Sequence, residues 1–156
     1  MKRTAACISV TLCASVGAYL GLSGLLLTST VALAEGLPRT AAPAGAEVYF
    51  ISPKDGDTVD KNFTVRFGLK GMGVAPAGAD FPDTGHHHLL IDLKEEPAMD
   101  ESLPMSEEIR HFGKGQTETQ LTLPPGKHTL QLLVGDKNHI PHKPPVMSKK
   151  ITVTVQ

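Results

Sequence analysis

The part of this chain that we expect to be exported contains no cysteine. Both cysteines, Cys7 and Cys13, lie near the N-terminus, in a segment that has the pattern of a cleavable signal. Without thiols, the remaining residues can form no disulfide, no cysteine-based zinc site, no iron–sulfur cluster and no covalently attached haem. Their stability therefore has to come from an apolar core, or from a metal ion held by nitrogen, oxygen or thioether ligands.

The N-terminal segment has the three parts of a secretory signal peptide. Met1-Lys2-Arg3 is basic, residues 5–27 are small or apolar, and Ala32-Leu33-Ala34 matches the A-x-A cleavage pattern. We therefore expect cleavage between Ala34 and Glu35 and a periplasmic or secreted mature protein, with no membrane contact after cleavage. Because the apolar stretch is long enough to span a bilayer, a retained membrane anchor is the alternative.

The mature chain also lacks a strong charge of either sign. Lys2 and Arg3 leave with the signal peptide, so 13 basic and 16 acidic residues remain, a net charge near −3. A mild and scattered charge argues against nucleic acid or an anionic membrane surface as a partner.

Common catalytic motifs are absent from the sequence. It contains no Gly-x-Ser-x-Gly, no His-Glu-x-x-His and no Walker loop, and Gly71-Met72-Gly73 is not followed by the further glycine of a dinucleotide fingerprint. We therefore expect no enzyme. A site of three imidazoles with an open position could activate water, but nothing in the sequence identifies a substrate.

Hydrophobic alternation predicts an almost wholly β chain. Apolar and polar residues alternate along residues 62–69, 129–134 and 150–155, as in half-buried strands. Weaker strands are predicted at residues 47–51, 87–92 and 117–123. Turn signals separate them at Pro53-Lys54-Asp55-Gly56 and Pro124-Pro125-Gly126-Lys127. The one helical element we expect is a short turn at residues 106–110.

Six or seven short strands with these turns predict a single immunoglobulin-like β-sandwich over residues 47–156. Signal peptide 1–34 and an Ala-, Pro- and Gly-rich leader, residues 35–46, precede it, and we expect the leader to be flexible. Three connections, residues 70–85, 93–115 and 135–146, are longer than a sandwich needs. Long loops in a compact domain are usually functional or disordered.

Six of the seven histidines fall in three short clusters. Imidazole is the commonest side-chain ligand of transition metals, so the clusters predict five metal ligands: His139, His142, His111, His86 and His88. His139 and His142 flank Pro141 in a loop and are the preferred pair, with His111 as a third ligand. His86 and His88 share one strand face about 7 Å apart, as a metal pair or simply as part of a polar outer face.

The other candidate ligands have structural interpretations. His87 has the parity of Leu89 and Ile91 and is expected to point into the core. His128 is expected to be structural. Met147 has the parity of core residues, although its thioether would suit Cu(I).

Topology limits how these side chains can meet. If consecutive strands run antiparallel, two groups form at opposite ends of the sandwich: His86, His88 and His128 at one end, and His111, His139, His142 and Met147 at the other. A six-residue strand is about 20 Å long, too far for one ion to bridge. We therefore expect either two sites or a long loop that folds back along a face. The simplest single site has His139, His142 and His111, with Met147 or Asp136 nearby.

Four segments resemble one known family. They are GHHHLLID at residues 85–92, HFGKGQTE at 111–118, LPPGKHTLQL at 123–132 and GDKNHIPHKPPVMS at 135–148. From residue 47 to 155 the chain resembles DUF4399, an exported bacterial domain. The resemblance implies an exported all-β domain and brings no established activity.

We hypothesise a copper site first and a zinc site second, because nitrogen-rich sites bind Cu(II) most tightly among the first-row divalent ions. A thiol-free exported domain of this fold is also similar in design to periplasmic copper carriers. The alternative is a non-catalytic cell-envelope interaction module whose histidines only form hydrogen bonds. The expected partner is accordingly a metal ion or an envelope protein.

Overall fold

The computed structural model describes residues 36–156. The expected signal peptide, its cleavage site and both cysteines lie outside these residues. In the described part of the chain, no helix is long and apolar enough to cross a bilayer.

Residues 36–156 are built from strands and connecting loops without a helix, as the alternation predicts. The nine strands are β1 (Glu47–Ser52), β2 (Thr58–Val59), β3 (Asn62–Lys70), β4 (Gly73–Val74), β5 (Thr84–Ile91), β6 (Ile109–His111), β7 (Glu118–Thr122), β8 (Gly126–Gly135) and β9 (Ile151–Val155). All six predicted strands are present, and β2, β4 and β6 are short additions. The predicted helical turn at residues 106–110 is wrong, because the Ser106 hydroxyl accepts the amides of Glu108 and Ile109 and the chain then enters β6.

The strands form two sheets around one apolar core. One sheet has the order β1-β3-β7, and the other has the order β2-β9-β8-β5, with β4 and β6 both pairing with the outer edge of β5. The core takes inward side chains from both sheets: Val48, Phe50, Phe63, Val65, Phe67 and Leu121 from the first, and Leu89, Ile91, Leu130, Leu132, Val134, Ile151, Val153 and Val155 from the second. Their burial is the main source of stability in a domain without disulfides.

Strand β5 is buried on both of its faces. His87, Leu89 and Ile91 face the core, where the His87 ring lies 5.2 Å from that of Phe67. The opposite face, with His86, His88 and Leu90, is equally buried. The interpretation of this face as a polar outer surface is therefore wrong.

A second apolar cluster covers this opposite face. It consists of Leu90, Leu103, Ile109 and Leu133, with Leu93, Met99 and Met147 packed against it. Leu103 belongs to the long loop between β5 and β6, so this loop is folded back over the sheet. Met147 pairs with Leu133, which in turn faces His88 across β5 and β8. Met147 is thus two strand spacings, roughly 10 Å, from His88 along the sheet, and its side chain packs against the apolar cluster.

His128 lies at the start of β8 and has partners for both ring nitrogens. Nδ1 is 2.6 Å from Asp92 Oδ2, and Nε2 is 2.9 Å from the Pro124 carbonyl oxygen. Neither a carbonyl nor a carboxylate can donate a hydrogen bond, so only the imidazolium form satisfies both contacts. Burial alone would lower the pKa of His128, but Asp92 and the Pro124 carbonyl raise it above its ordinary value.

We expect His128→Asn to destabilise the fold in a pH-dependent way. Because the folded-state pKa of His128 is raised, its contribution is fully present below the unfolded pKa of about 6.5 and is lost as the pH rises through the folded-state pKa. The loss of unfolding free energy in the variant should therefore be larger at pH 5.5 than at pH 9, measured by urea denaturation. An equal loss at both pH values would contradict an imidazolium held by Asp92.

Candidate metal centre

Four imidazole rings meet on the covered face of β5. They belong to His86, His88, His111 and His139. The ring centroids are separated by 4.8 Å for His86–His88, 4.9 Å for His86–His111, 5.0 Å for His86–His139, 4.6 Å for His111–His139, 5.2 Å for His88–His111 and 6.1 Å for His88–His139. Every member therefore lies next to every other, and we call this group the histidine cluster.

Sheet register brings three of the four together. His86 and His88 occupy alternate positions of β5 and so project from the same face. His111 ends β6 and is the direct antiparallel partner of His88. Side chains of directly opposed residues on neighbouring strands lie about 5 Å apart. These three rings are therefore placed by backbone hydrogen bonds of the sheet.

The fourth histidine is placed by a turn after β8. Asp136 Oδ1 accepts the backbone amides of Asn138, at 2.8 Å, and Ile140, at 3.1 Å, while the His139 amide donates to the Asp136 carbonyl at 2.9 Å. His139 has a φ of 65°, in the left-handed region that asparagine and glycine tolerate better than histidine. The turn holds this unfavourable backbone conformation and directs the ring onto the cluster.

The nitrogen atoms of the cluster are close enough to share one ion. His86, His111 and His139 each offer one ring nitrogen, and these atoms all lie within 4.8 Å of one another. Around zinc, imidazole nitrogens at about 2.0–2.1 Å from the ion are roughly 3.4 Å apart in a tetrahedron. Ring rotations that bring the nitrogens about 1.5 Å closer would complete such a site.

Four of the eight ring nitrogens of the cluster are buried and have no hydrogen-bond partner. These four nitrogens are His86 Nε2, His88 Nδ1, His88 Nε2 and His111 Nε2. Among the described residues, every buried side-chain polar atom without a partner belongs to a histidine, the others being in His87 and His142. Each such atom costs about 1–3 kcal/mol relative to a paired one. Ligation of an ion would offset that cost for the cluster.

Burial also keeps these imidazoles neutral, the form that ligates metals. Desolvation, reinforced by the neighbouring imidazoles, lowers the pKa of His86 to about 4 and that of His88 to about 2. Desolvation and His139 lower the pKa of His111. The negative charge of the Asp136 carboxylate raises the pKa of His86 and so opposes part of this shift. Protons therefore compete poorly with a metal ion at neutral pH.

Two glycines leave space for the rings. A Cβ at Gly113 would overlap the ring of His111, and one at Gly135 would lie 2.8 Å from Cε1 of His88. Neither residue has a positive φ, so space rather than backbone conformation requires glycine at these positions. Gly113 and Gly135 are therefore a signal in the sequence that histidine rings pack closely against the backbone at these positions.

The structure groups the predicted ligands differently from the sequence analysis. The expectation that His86 and His88 lie at the opposite end from His111 and His139 was wrong, because the connections before β6 and after β8 both return to the face of β5. The alternative of a loop folded back along a face is the arrangement found. His142, predicted as the partner of His139, is fully buried, and its Nδ1 is 3.5 Å from the Val134 carbonyl oxygen. Within the described residues, no ring contact joins His142 to the cluster.

Comparison with known proteins gives a family and no activity. The family model DUF4399, a domain of unknown function, matches residues 65–156, in agreement with the resemblance of the four segments. No curated protein matches the chain. The structure of the endo-beta-1,4-mannanase from Thermotoga petrophila is similar over 71% of this chain, with 23% identity and a TM-score of 0.40. This chain spans 20% of the mannanase chain.

We expect Gly113→Ala to displace the His111 ring and leave the fold intact. The new methyl group would occupy the space of that ring, whereas the backbone conformation is open to alanine. Nuclear Overhauser contacts between the rings of His111 and His86 should disappear in the variant. Gly73→Ala, on the strand that pairs with the same edge of β5, is the matched control, because its Cβ would meet a Thr84 methyl at 3.2 Å and the Asp83 carbonyl oxygen at 3.9 Å but no histidine ring. Retained ring contacts in Gly113→Ala would contradict this packing.

His139→Asn should not destabilise the metal-free protein. Asparagine adopts the left-handed conformation more readily, and the backbone hydrogen bonds of residue 139 do not depend on its side chain. We expect an unfolding free energy that is unchanged or higher by about 0.5–1 kcal/mol. His128→Asn at pH 5.5 is the contrasting control. A loss above about 1 kcal/mol in His139→Asn would indicate that the ring has a structural role.

Proposed function

The chain belongs to the DUF4399 family, and on the evidence of its own residues we propose that it binds one transition-metal ion through the histidine cluster. His86, His111 and His139 would be the ligands whose nitrogens already converge, and His88 the additional one. When bound, the ion would supply a positive centre that ties β5, β6 and the turn after β8 together.

The observation that carries this proposal is the contrast between two kinds of histidine in one domain. His128, which we interpret as structural, has a partner for each ring nitrogen. The cluster holds buried nitrogens without partners, in rings that face each other. Buried polar groups are ordinarily hydrogen-bonded, so a group of unpaired donors and acceptors in one place calls for a ligand. An ion that accepts several imidazoles at once meets that requirement.

The chemistry of the donor set favours copper first and zinc second. All four side chains are imidazoles, and no thiol exists in the described residues. Nitrogen ligands suit both ions, and Cu(II) exceeds Zn(II) in affinity at a given site. Met147, the soft ligand considered for Cu(I), packs on the apolar cluster beyond Leu133. We therefore propose a nitrogen-only site.

We propose binding, storage or delivery of the ion rather than catalysis. Catalytic zinc sites have three protein ligands and an open position for water, whereas structural sites are closed by four. The His88 ring lies 4.8 Å from that of His86 and 5.2 Å from that of His111, next to the space an ion would occupy. A fourth imidazole in that location favours a closed site.

We also propose that the protein acts outside the cytoplasm and that its two sheets form an immunoglobulin-like sandwich. The first proposal is supported by the signal-like pattern of residues 1–34 and by the absence of thiols from the remainder. The second is supported by a three-stranded and a six-stranded sheet whose side chains share one core. The competing function is a cell-envelope interaction module, in which the cluster takes up no ion.

The protein should bind about one equivalent of Cu(II) or Zn(II) at pH 7. We expect titration calorimetry to give a Kd below about 1 μM for the tighter ion, which is a free energy of about −8 kcal/mol. His111→Ala with His139→Ala should abolish this binding. Bound metal should raise the melting temperature with increasing concentration, because it binds the folded state. Acid should release the ion well below the ordinary imidazole pKa of about 6.5.

His128→Asn is the control for nonspecific histidine binding and should retain the affinity of the parent. His142→Ala tests the pairing predicted from the sequence, and we expect it to keep an ion that the double variant loses. Binding no tighter than about 100 μM for either ion, a strength that scattered surface histidines could supply, would overturn the metal proposal in favour of the interaction module.

A further inference from the structure

Residues 39–42 of the leader lie against the loop that carries His139. Ala41 pairs in parallel with Lys143 as an isolated bridge. The Lys143 amide donates to the Thr40 carbonyl at 2.8 Å, and the Ala42 amide donates to the Lys143 carbonyl at 3.0 Å. The sequence predicts a flexible leader here, whereas these hydrogen bonds attach it to one side of the candidate metal loop.

Arg39 extends this attachment with its side chain. Its guanidinium donates from Nε to the Pro141 carbonyl at 2.9 Å and from a terminal nitrogen to the His142 carbonyl. A charged donor to backbone carbonyls forms a stronger hydrogen bond than a neutral one, and the planar guanidinium fixes the two acceptors relative to each other. The C-terminal side of the turn that contains His139 is held in this way.

Thr40 acts on the other side of the same turn. Its hydroxyl donates to Asp136 Oδ2 at 2.6 Å, and Asp136 is only 3% exposed. The second oxygen of this carboxylate accepts the amides of Asn138 and Ile140, which flank His139 in the chain. Rotation of the carboxylate would break all these contacts together, so the Thr40 hydroxyl fixes the group that shapes the turn.

We propose that residues 39–42 are a clamp that positions His139 for metal binding, with Arg39 and Thr40 as the positioning residues. This inference rests on the proposed function and adds how the affinity of the site is set. The clamp lies before residue 65, outside the part matched by the family model. A ligand held in place before the ion arrives spends less of the binding free energy on ordering the loop.

The opposite side of His139 is held as well, so the clamp completes an enclosure. The Leu103 amide donates to the His139 carbonyl at 2.9 Å, and the Leu37 amide donates to the Asp100 carbonyl at 2.8 Å. The loop between β5 and β6 thus contacts both the His139 turn and the leader. Besides the clamp, the turn is held by the Leu103 contact, by the Gly78 amide, which donates to the Lys137 carbonyl at 3.0 Å, and by its own hydrogen bonds.

The experiment compares Thr40→Val and Arg39→Gln with the parent, in the full mature chain. Cu(II) alone and Zn(II) alone are the probes, and Kd and the rate of metal release are measured. We expect each variant to weaken the binding about tenfold and to speed release, while the melting temperature of the metal-free protein stays within a few degrees. Thr40→Ser should restore the parental affinity, because it keeps the hydroxyl. Thr122→Val and Arg66→Gln are matched controls, since they remove an exposed hydroxyl contact to Asn62 and an exposed ion pair with Glu118, both on the other sheet.

Amide hydrogen exchange of the metal-free protein separates failure of the clamp from failure of the proposed function. Exchange at Asn138 and Ile140 should accelerate in Thr40→Val and remain parental in Thr122→Val, whether or not any metal binds. A parent that binds metal while both clamp variants stay within twofold of its Kd overturns the clamp. A parent that binds neither ion overturns the proposed function, and parental exchange at both amides in Thr40→Val then overturns the clamp as well.

Discussion

Burial of β5 on both faces is the constraint on which the rest of this structure depends. The inward face closes the core between the two sheets through Leu89 and Ile91. The outward face would present Leu90 and two imidazoles to water, so the long loops have to cover it. Apolar Leu103 and Ile109 cover the part of this face around Leu90. The part that carries His86 and His88 is covered by two further imidazoles, one from β6 and one from the turn after β8. The histidine cluster is therefore a consequence of how the outer face is closed.

The cluster takes its ligands from two kinds of element, paired strands and a turn. His86, His88 and His111 lie on paired strands, where a shift of one residue would reverse the face of every side chain. His139 lies on a turn whose conformation depends on one carboxylate, that of Asp136. The three candidate ligand nitrogens lie within 4.8 Å of one another, and rotation of the rings on this held turn would bring them to the separation that a bound ion requires. Because His139 depends on this turn and not on a strand, contacts remote from the ligands, such as that of Thr40 with Asp136, affect the position of a ligand.

Much of the fold was predictable from the sequence, and the grouping of the ligands was not. The alternation of Phe63, Val65 and Phe67 identifies β3 because one face of that strand stays polar. The same argument failed for β5 and β8, where Leu90 and Leu133 stand at positions that alternation assigns to solvent. Those two leucines were the available signal that the outer face is covered. Pairing of His88 with His111 could not be read from the sequence, because it depends on a 17-residue loop returning to the edge of β5.

His128 and the histidine cluster differ in what they cost the fold. His128 contributes through its partners, and the protonated state that satisfies them also carries the charge that Asp92 neutralises. The cluster has the opposite balance, because its rings stay neutral by desolvation and leave nitrogens unpaired at about 1–3 kcal/mol each. A set of such costs in adjacent side chains is large beside a total stability of about 5–15 kcal/mol. Sites that bind a ligand commonly carry unsatisfied groups of this kind, since the ligand then stabilises the folded state by satisfying them. The burial that makes the metal-free cluster unfavourable is thus the same feature that would make it a strong nitrogen site.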